Sequence, residues 1–564
     1  MANRLEQLIV GDFTGGLNLR SNQFQLKPNE SPEMANMVID PLGGIFTRKG
    51  WERWNEDDIV DVLTVDWDPR RAFLQQYSDG TDRVYVANFG DDIYAADADG
   101  VFEAIGVVPN AVPHGADFAS WGDVMYISTG FDDPTYKIPF GLAPVALSAA
   151  GAGTWNDDYT TPTDGVMPQA QVIEAHAGYI FAANIDEDGL HMPNRLRWSH
   201  PEQPEDWAQA DFQDISIGGS RITGLMSYED HLLIFKDSSV WAWYGYDSDS
   251  WQLVQKTTTS GSPSPTAITR SESAVYYYSS ADRGAIFAYS GERPVEIGMN
   301  VRRATEALLA PELVWCGWIA RKLWVTIPWN YEGPTEDSSS VIVFDPTVGE
   351  GGAWIYFDTK LGALGPLVFG SDVDSQPNPL AVVRAAETAC VVKLEAREDA
   401  SDVIFPAGTL ATPDEDDIVT GEDEDILIGG SEFDVVAFRT YYRTGWMGTD
   451  WPDRKKSWRR PGFICRDTGT LHELQIRSYR DYEENIPSRQ SKLIVAPKGG
   501  AAVWGEFDWG DGTTYGAGAK GGTIKRGSSF GMARAISLRL EGLTPTERWG
   551  VDAIIMKIVL RRLR

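Results

Sequence analysis

Metal or nucleophilic chemistry would most readily be built from the chain's six histidines, His114, His176, His191, His200, His231 and His472. None stands in an HExxH or comparable pairing, so neither a zincin nor a histidine-based triad has sequence support, and structural or surface roles are expected. The stretch NIDEDG, residues 184 to 189, imitates the first half of a calcium loop, but its twelfth position is Arg195, where a bidentate Glu is needed. A tight turn is the expectation. GAGAKGG at 516–522 contains GxGxxG, yet a phosphate cradle needs a following helix whose N–H groups face the anion. The residues that follow, TIKRGSSFGMARAISLRL, read as strand, so a hairpin tip is expected there. Catalytic, cofactor-binding and metal-ligating residues are therefore all assigned as none.

The strongest local charge is DRKKSWRRPGF, with Arg454, Lys455, Lys456, Arg459 and Arg460 around Trp458. Cations interleaved with an aromatic can bind phosphates and stack on bases. They can equally dock on a partner's acidic surface, because alternate residues of a strand face opposite ways. The protein interface is the favoured reading, since one basic strand beside an acidic body makes a poor nucleic-acid groove. SADRGAIF, residues 280 to 287, resembles the Asp-box turn of sialidase-like propellers, with Ile286 in place of the threonine. Such a turn marks a blade hairpin more than a catalytic centre, its Asp bonding nearby backbone. A glycosidase would also need convergent carboxylates or an activated tyrosine, and the sequence singles out none.

The elements that would position such residues follow from composition and rhythm. The chain has 564 residues, 42% hydrophobic and 23% charged, with a heavy aromatic load, which suits a large folded core and argues against disorder. No apolar run of membrane-spanning length or secretory leader is evident, so folding in a cytoplasm and no membrane insertion are expected. Cys316, Cys390 and Cys465 lie far apart without a CxxC pair and are expected to be buried free thiols. The net charge is -33, but residues 439–564 carry 23 Lys/Arg against 13 Asp/Glu, leaving 26 against 69 in the first 438. A sign reversal of this kind suggests surfaces that meet different neighbours.

Aromatic or β-branched runs recur: RVYVAN at 83, DVMYIST at 123, YIFAAN at 179, HLLIFKD at 231, AVYYYSS at 274, KLWVTIP at 322 and LAVVRAA at 380. Their offsets are 40, 56, 52, 43, 48 and 58 residues, room for four short antiparallel strands per unit, as a β-propeller blade requires. Paired β-sandwiches would give similar runs; the propeller, with six to seven irregular blades, is favoured. The expected organisation is an extended N-terminal arm over 1–55 contributing to a platform, a propeller over 56–410, an acidic loop over 411–430, and a basic antiparallel β-sandwich platform domain over 431–564. Within the arm a short helix is expected, capped by Ser31 with Pro32 and Glu33 in its first turn. A second helix is expected over 300–310, between two blades.

GGLNLRSNQFQLKPNESPEMANMVIDPLGGIFTRKGW, NRLRWSHPEQPEDW, ITGLMSYEDHLLIFKDSSVWAWYG, TTTSGSPSPTAI and RKKSWRRPGF resemble tailed-bacteriophage virion proteins of the tail nozzle and packaged-DNA-stabilisation type. The resemblance implies a non-enzymatic propeller with a β platform, closed into a ring homo-oligomer, expected to be a hexamer, below the portal and adaptor proteins of the virion tail. It implies retention of packaged genome and transient passage of double-stranded DNA, with no cofactor. Docking to adaptor or neighbouring subunit would fall to Arg454, Lys455, Lys456, Trp458, Arg459 and Arg460. The arm would thread along the platform or a neighbouring subunit, ordered by assembly more than by its own core. Two other functions stay open: a propeller-type tail protein that binds or degrades glycans, and a nucleic-acid-binding β protein using the basic strand.

Overall fold

The computed structural model describes residues 5–20, 25–55, 69–88, 92–96, 100–107, 116–130, 134–162, 165–215, 220–247, 250–306, 308–328, 339–358, 363–371, 377–384, 389–397, 401–403, 435–448, 455–466, 472–483, 486–495, 523–526, 531–543 and 547–560. Among them, six four-stranded antiparallel sheets follow one another in chain order. Blade 1 runs from Pro69 to Ala104, blade 2 from Asp117 to Ala146, blade 3 from Gln169 to Asp214 and blade 4 from Ile222 to Thr257. Blade 5 spans Ile268 to Glu296 and blade 6 Trp315 to Asp358. Blade 7 combines Ala363–Ser371, Pro377–Arg384 and Ala389–Arg397 with a fourth strand, Gly50–Arg53, and the sheet continues into Ser401–Val403 and Val435–Ala437. The first strand of each blade adjoins that of the next, and the first strand of blade 7 adjoins that of blade 1, which closes a seven-bladed propeller.

The seven recurring runs of the sequence are the second strands of the seven blades. A second strand has hydrogen-bonded neighbours on both edges and a packed blade against each face, so it reads as continuous apolar sequence where a half-exposed strand would alternate. Tyr179–Ile185 and His231–Lys236 are buried throughout. Tight hairpins join first to second strands: Ala177 and Gly178 (φ 49° and 83°) in blade 3, Ala320 and Arg321 (φ 50° and 62°) in blade 6. Both positions of a two-residue type I′ turn need positive φ, whose twist matches the flanking strands.

The C-terminal part forms two antiparallel sheets. In the eight-stranded sheet, Gly550–Leu560 pairs with Lys456–Trp458, Gly462–Cys465, Leu5–Val10 and Ile45–Thr47. The five-stranded sheet runs in the order Glu33–Ala35, Tyr441–Arg443, Ile536–Gly542, His472–Arg480 and Arg489–Val495. The N-terminal arm thus contributes strands to both, and its end closes the propeller. Trp54 N–H donates to Val391 O at 2.8 Å, and Val391 N–H donates to Asn55 Oδ1 at 2.8 Å.

Three expectations change. The arm is ordered by its own chain, since Phe13, Leu17, Met34, Met37, Ile39 and Ile45 join one core with Trp324 and Trp354 of blade 6 and Trp458 and Ile554 of the platform. The short helix at Ser31 is absent: Glu30–Ser31 and Glu33–Ala35 are strands. Ser31 Oγ donates to Arg443 O at 2.6 Å, so the residue serves a neighbouring strand instead of capping a helix. The helix over 300–310 shortens to one turn, Arg302–Thr305, between 3-10 turns at Gly298–Asn300 and Pro311–Leu313. It does lie between blades 5 and 6. The acidic loop 411–430 lies outside the described residues.

The junction of arm, propeller and platform is built around a buried cation. Arg48 is fully enclosed, its guanidinium 3.7 Å from the ring centre of Phe438 and 4.1 Å from that of Trp51. Its Nε donates to Asn36 Oδ1 at 3.0 Å, and Asn36 Nδ2 donates to Arg439 O at 2.8 Å. The desolvation cost of the charge is offset by hydrogen bonds and two aromatic faces.

A candidate functional site at the propeller axis

A cavity of about 280 Å³ lies where the first strands of the blades converge. Its wall takes Arg71 and Phe73 from blade 1, Phe118 from blade 2, Glu174 from blade 3, Met226 from blade 4, Arg270 from blade 5 and Trp318 from blade 6. Strand geometry explains the mixture. Side chains two apart on a strand lie on the same side, which brings Arg71 and Phe73 of one first strand to the cavity together.

The charged groups, from blades 1, 2, 3 and 5, are linked through backbone groups of blades 3 and 4. Arg71 Nη2 lies 2.8 Å from Asp117 Oδ1, an ion pair in which the aspartate is almost fully buried. Asp117 Oδ2 accepts the Ile173 N–H at 3.0 Å. Burial pushes the Asp117 carboxyl above its ordinary value, against the opposing pull of Arg71. Glu174 Oε1 accepts the Ser227 N–H at 3.1 Å, and Arg270 Nη1 donates to Ser227 O at 3.0 Å. Although Glu174 keeps some surface toward the cavity, the surrounding blades desolvate it and push its carboxyl up to about 7; the Ser227 N–H and then Arg270 oppose the shift. Two residues further along the same strand, His176 Nδ1 shares a 2.8 Å hydrogen bond with Ser227 Oγ, and burial lowers its imidazole to about 4. The aromatic wall is ordered by stacking, Phe73 on Phe118 at 5.5 Å and Trp318 on Tyr276 at 5.2 Å.

The residues singled out by sequence lie elsewhere. Lys456–Trp458 is a strand of the eight-stranded sheet, with Lys456 and Trp458 fully buried on one face. Lys456 Nζ donates to Arg534 O at 3.1 Å, and Trp458 Nε1 donates to Ala533 O at 3.0 Å. Lys455, Arg459 and Arg460 are exposed, so only these three described members of the basic cluster reach solvent. Lys456 and Trp458 are corrected from surface to core, because alternation sends every second side chain inward. Arg454 lies outside the described residues, as do His114 and GAGAKGG.

NIDEDG is a turn. Asp186 accepts from His191 Nδ1, Glu187 binds Arg195 and Arg197, and Asp188 accepts the Ala152 N–H. SADRGAIF is the central hairpin of blade 5, and Asp282 is held by Arg302 at 2.8 Å. Among the described residues no group of three His, Cys, Asp or Glu is placed to hold a metal, and no helix is long and apolar enough to cross a membrane. Cys316 and Cys465 are buried thiols; the side chain of Cys390 lies outside the described ones.

Sequence reasoning missed Arg71, Asp117, Glu174 and Arg270, which lie in PRRAFLQQ, DFASW, QAQVIEAH and ITR. A signal was available: each lies in the strand just before a recurring run, where a charge interrupts otherwise core-like sequence.

No family model matches the chain, and no curated protein matches it. Among solved structures it is similar to a catalytically inactive virginiamycin B lyase from Staphylococcus aureus with quinupristin, at 10% identity and a TM-score of 0.37, over 60% of this chain and 98% of that one. It is also similar to YCF48 bound to D1 peptide, at 10% identity and a TM-score of 0.36, over 64% of this chain and 99% of that one. The blade count rests on the sheet order and the ring of adjoining first strands.

Proposed function

We propose that the chain is a structural, non-enzymatic subunit of a tailed-bacteriophage tail. It would close with its copies into a ring, expected to be a hexamer, that docks under the portal–adaptor complex, retains packaged DNA and passes it during ejection. The observation that carries this reading is the arm, which enters both platform sheets and supplies the last strand of blade 7, so that propeller and platform are braced by one continuous segment. A ring that bears load needs subunits whose parts do not swing separately, and a large shared apolar core provides that.

Two further features support it. The axial cavity of about 280 Å³ is far too small for a duplex whose major groove alone is about 12 Å wide, so the proposed conduit would lie between subunits. The excess of 69 acidic over 26 basic residues before position 439 suits a wall that leaves DNA phosphates mobile, since each phosphate neutralised adds salt-dependent affinity. The exposed Lys455, Arg459 and Arg460 remain as a docking patch for an acidic neighbour.

Negative-stain imaging of the purified full chain, alone and with virion particles, tests the reading. Rings with a central hole, found at the tail, are the expected result. A poreless monomer that is absent from virions, or that hydrolyses glycans, would overturn it.

A further inference from the structure

Arg71 and Arg270 reach the axial cavity from blades 1 and 5 with guanidinium capacity to spare. Arg71 makes one ion pair, to Asp117, and Arg270 donates to a backbone carbonyl and has no carboxylate within ion-pair distance among the described residues. A guanidinium carries five donors in a planar fork suited to carboxylate or phosphate. In the same cavity, one oxygen of Glu174 accepts the Ser227 N–H and the other has no hydrogen-bond partner among the described residues. Phe73, Phe118 and Trp318 line the same cavity, whose volume falls just below the roughly 300–1,000 Å³ of small-molecule sites. Arg270 is solvent-exposed, so the cavity can be reached from outside.

We propose that this cavity is a binding site for a small aryl anion, its charged head held by the Arg71 and Arg270 guanidiniums and its ring set against Phe73, Phe118 and Trp318. The proposal is independent of ring assembly. The charge balance selects the ligand's sign: Arg71 and Asp117 cancel, Arg270 is left over, and a protonated Glu174 adds a donor without adding charge. A cationic ligand would face an uncompensated guanidinium, and a neutral one would leave the fork unused.

The groups facing Glu174 are Arg71 of blade 1, Asp117 of blade 2, Ser227 of blade 4, Arg270 of blade 5 and, along its own strand, His176. Of these, His176 is neutral above about pH 4, Glu174 titrates near neutrality, and burial raises Asp117 as well, against the pull of Arg71. An anion in the cavity favours the protonated carboxyl. Binding therefore takes up a proton, and affinity falls as pH rises through about 7.

Isothermal titration of the full chain with benzoate at pH 6 and pH 8, with acetate and benzyl alcohol as probes lacking the ring or the charge, tests the site. Benzoate is expected to bind once per chain and more tightly at pH 6, with acetate and benzyl alcohol each at least about ten-fold weaker. Arg270→Gln, at an exposed position that leaves folding intact, should weaken benzoate by at least about ten-fold, as expected for losing a charge-assisted pair. Glu174→Gln should keep binding and remove its pH dependence, and Met226→Trp should block it by filling the cavity. No saturable benzoate binding up to about 10 mM, a far weaker range than a built site should need, would overturn the proposal. So would unchanged binding by Arg270→Gln in a protein with wild-type melting.

Discussion

Trp51 is where the ring closure and the platform junction share one side chain, and Trp51→Ala tests whether that sharing matters. The indole is fully buried on the closing strand of blade 7, 6.4 Å from the ring of Trp324 in blade 6, with the Arg48 guanidinium 4.1 Å from its centre. Truncating a core Trp typically costs roughly 3–5 kcal/mol, from lost transfer energy and the cavity left behind. Arg48 would also lose one of its aromatic faces, which favours the upper half of that range. A chain with several packed parts need not unfold in one step, so a single melting curve is the wrong assay. Hydrogen exchange read by mass spectrometry on peptides covering 52–55 and 391–394 reports the closing strand directly, where the amides of Trp54 and Val391 are hydrogen-bonded. A loss of about 4 kcal/mol should speed exchange there by roughly a thousand-fold, while Leu232–Phe235 in blade 4 should be almost unaffected. Trp324→Ala should affect the same peptides, and the double variant should fall short of the sum by about 1 kcal/mol, the size of an aromatic pair's coupling. Protection at 391–394 unchanged within about three-fold in Trp51→Ala would refute the argument that this strand holds the ring shut.

Arg48→Lys should destabilise by about 2 kcal/mol in chemical denaturation, because an ammonium cannot stack between Trp51 and Phe438 as a planar guanidinium does. Gly284→Ala should cost several-fold more than a surface substitution, at least about 2 kcal/mol, since its φ is 73° and an added Cβ would meet the Thr305 carbonyl oxygen; Gly291→Ala, also at positive φ but with open space around it, is the control for backbone strain alone. Two groups at the axis shape stability against pH in opposite senses. Glu174, raised from 4.5 to about 7, contributes stability that is complete below about pH 4.5 and lost as pH rises through 7, so Glu174→Gln should flatten that decline in denaturant midpoints. His176, lowered from 6.5 to about 4, contributes stability present above about pH 6.5 and lost as pH falls through 4, so His176→Gln should flatten the acid side.

The blades were legible because of where their second strands sit. A strand covered on both faces must be apolar along its length, so HLLIFKD and AVYYYSS stand out from their surroundings without knowledge of what covers them. The turn at SADRGAIF was legible too, because Gly284 and Arg283 adopt positive φ that a hairpin there requires. The closing strand was not. GWER is four residues of ordinary composition, and only its pairing with Val392 and Lys393 some 340 positions later makes it part of a blade. Ser31 misled for a related reason: its hydroxyl suits a helix cap, and a strand from the far end of the chain, Tyr441–Arg443, took it instead.

Sequence by itself therefore determined the all-β class, the repeated unit, the aromatic filling between units and the reversal of charge near residue 439, since each depends on local pattern or on composition. Tertiary structure decided which cations of the 454–460 cluster reach solvent, how the arm joins two sheets and a blade, and that Arg71, Glu174 and Arg270 line one cavity with Asp117 paired to Arg71 behind it. The physical reason is range: burial periodicity acts between neighbours in the chain, whereas ring closure brings four charges to one axis from blades whose order alone says nothing about what each first strand points inward.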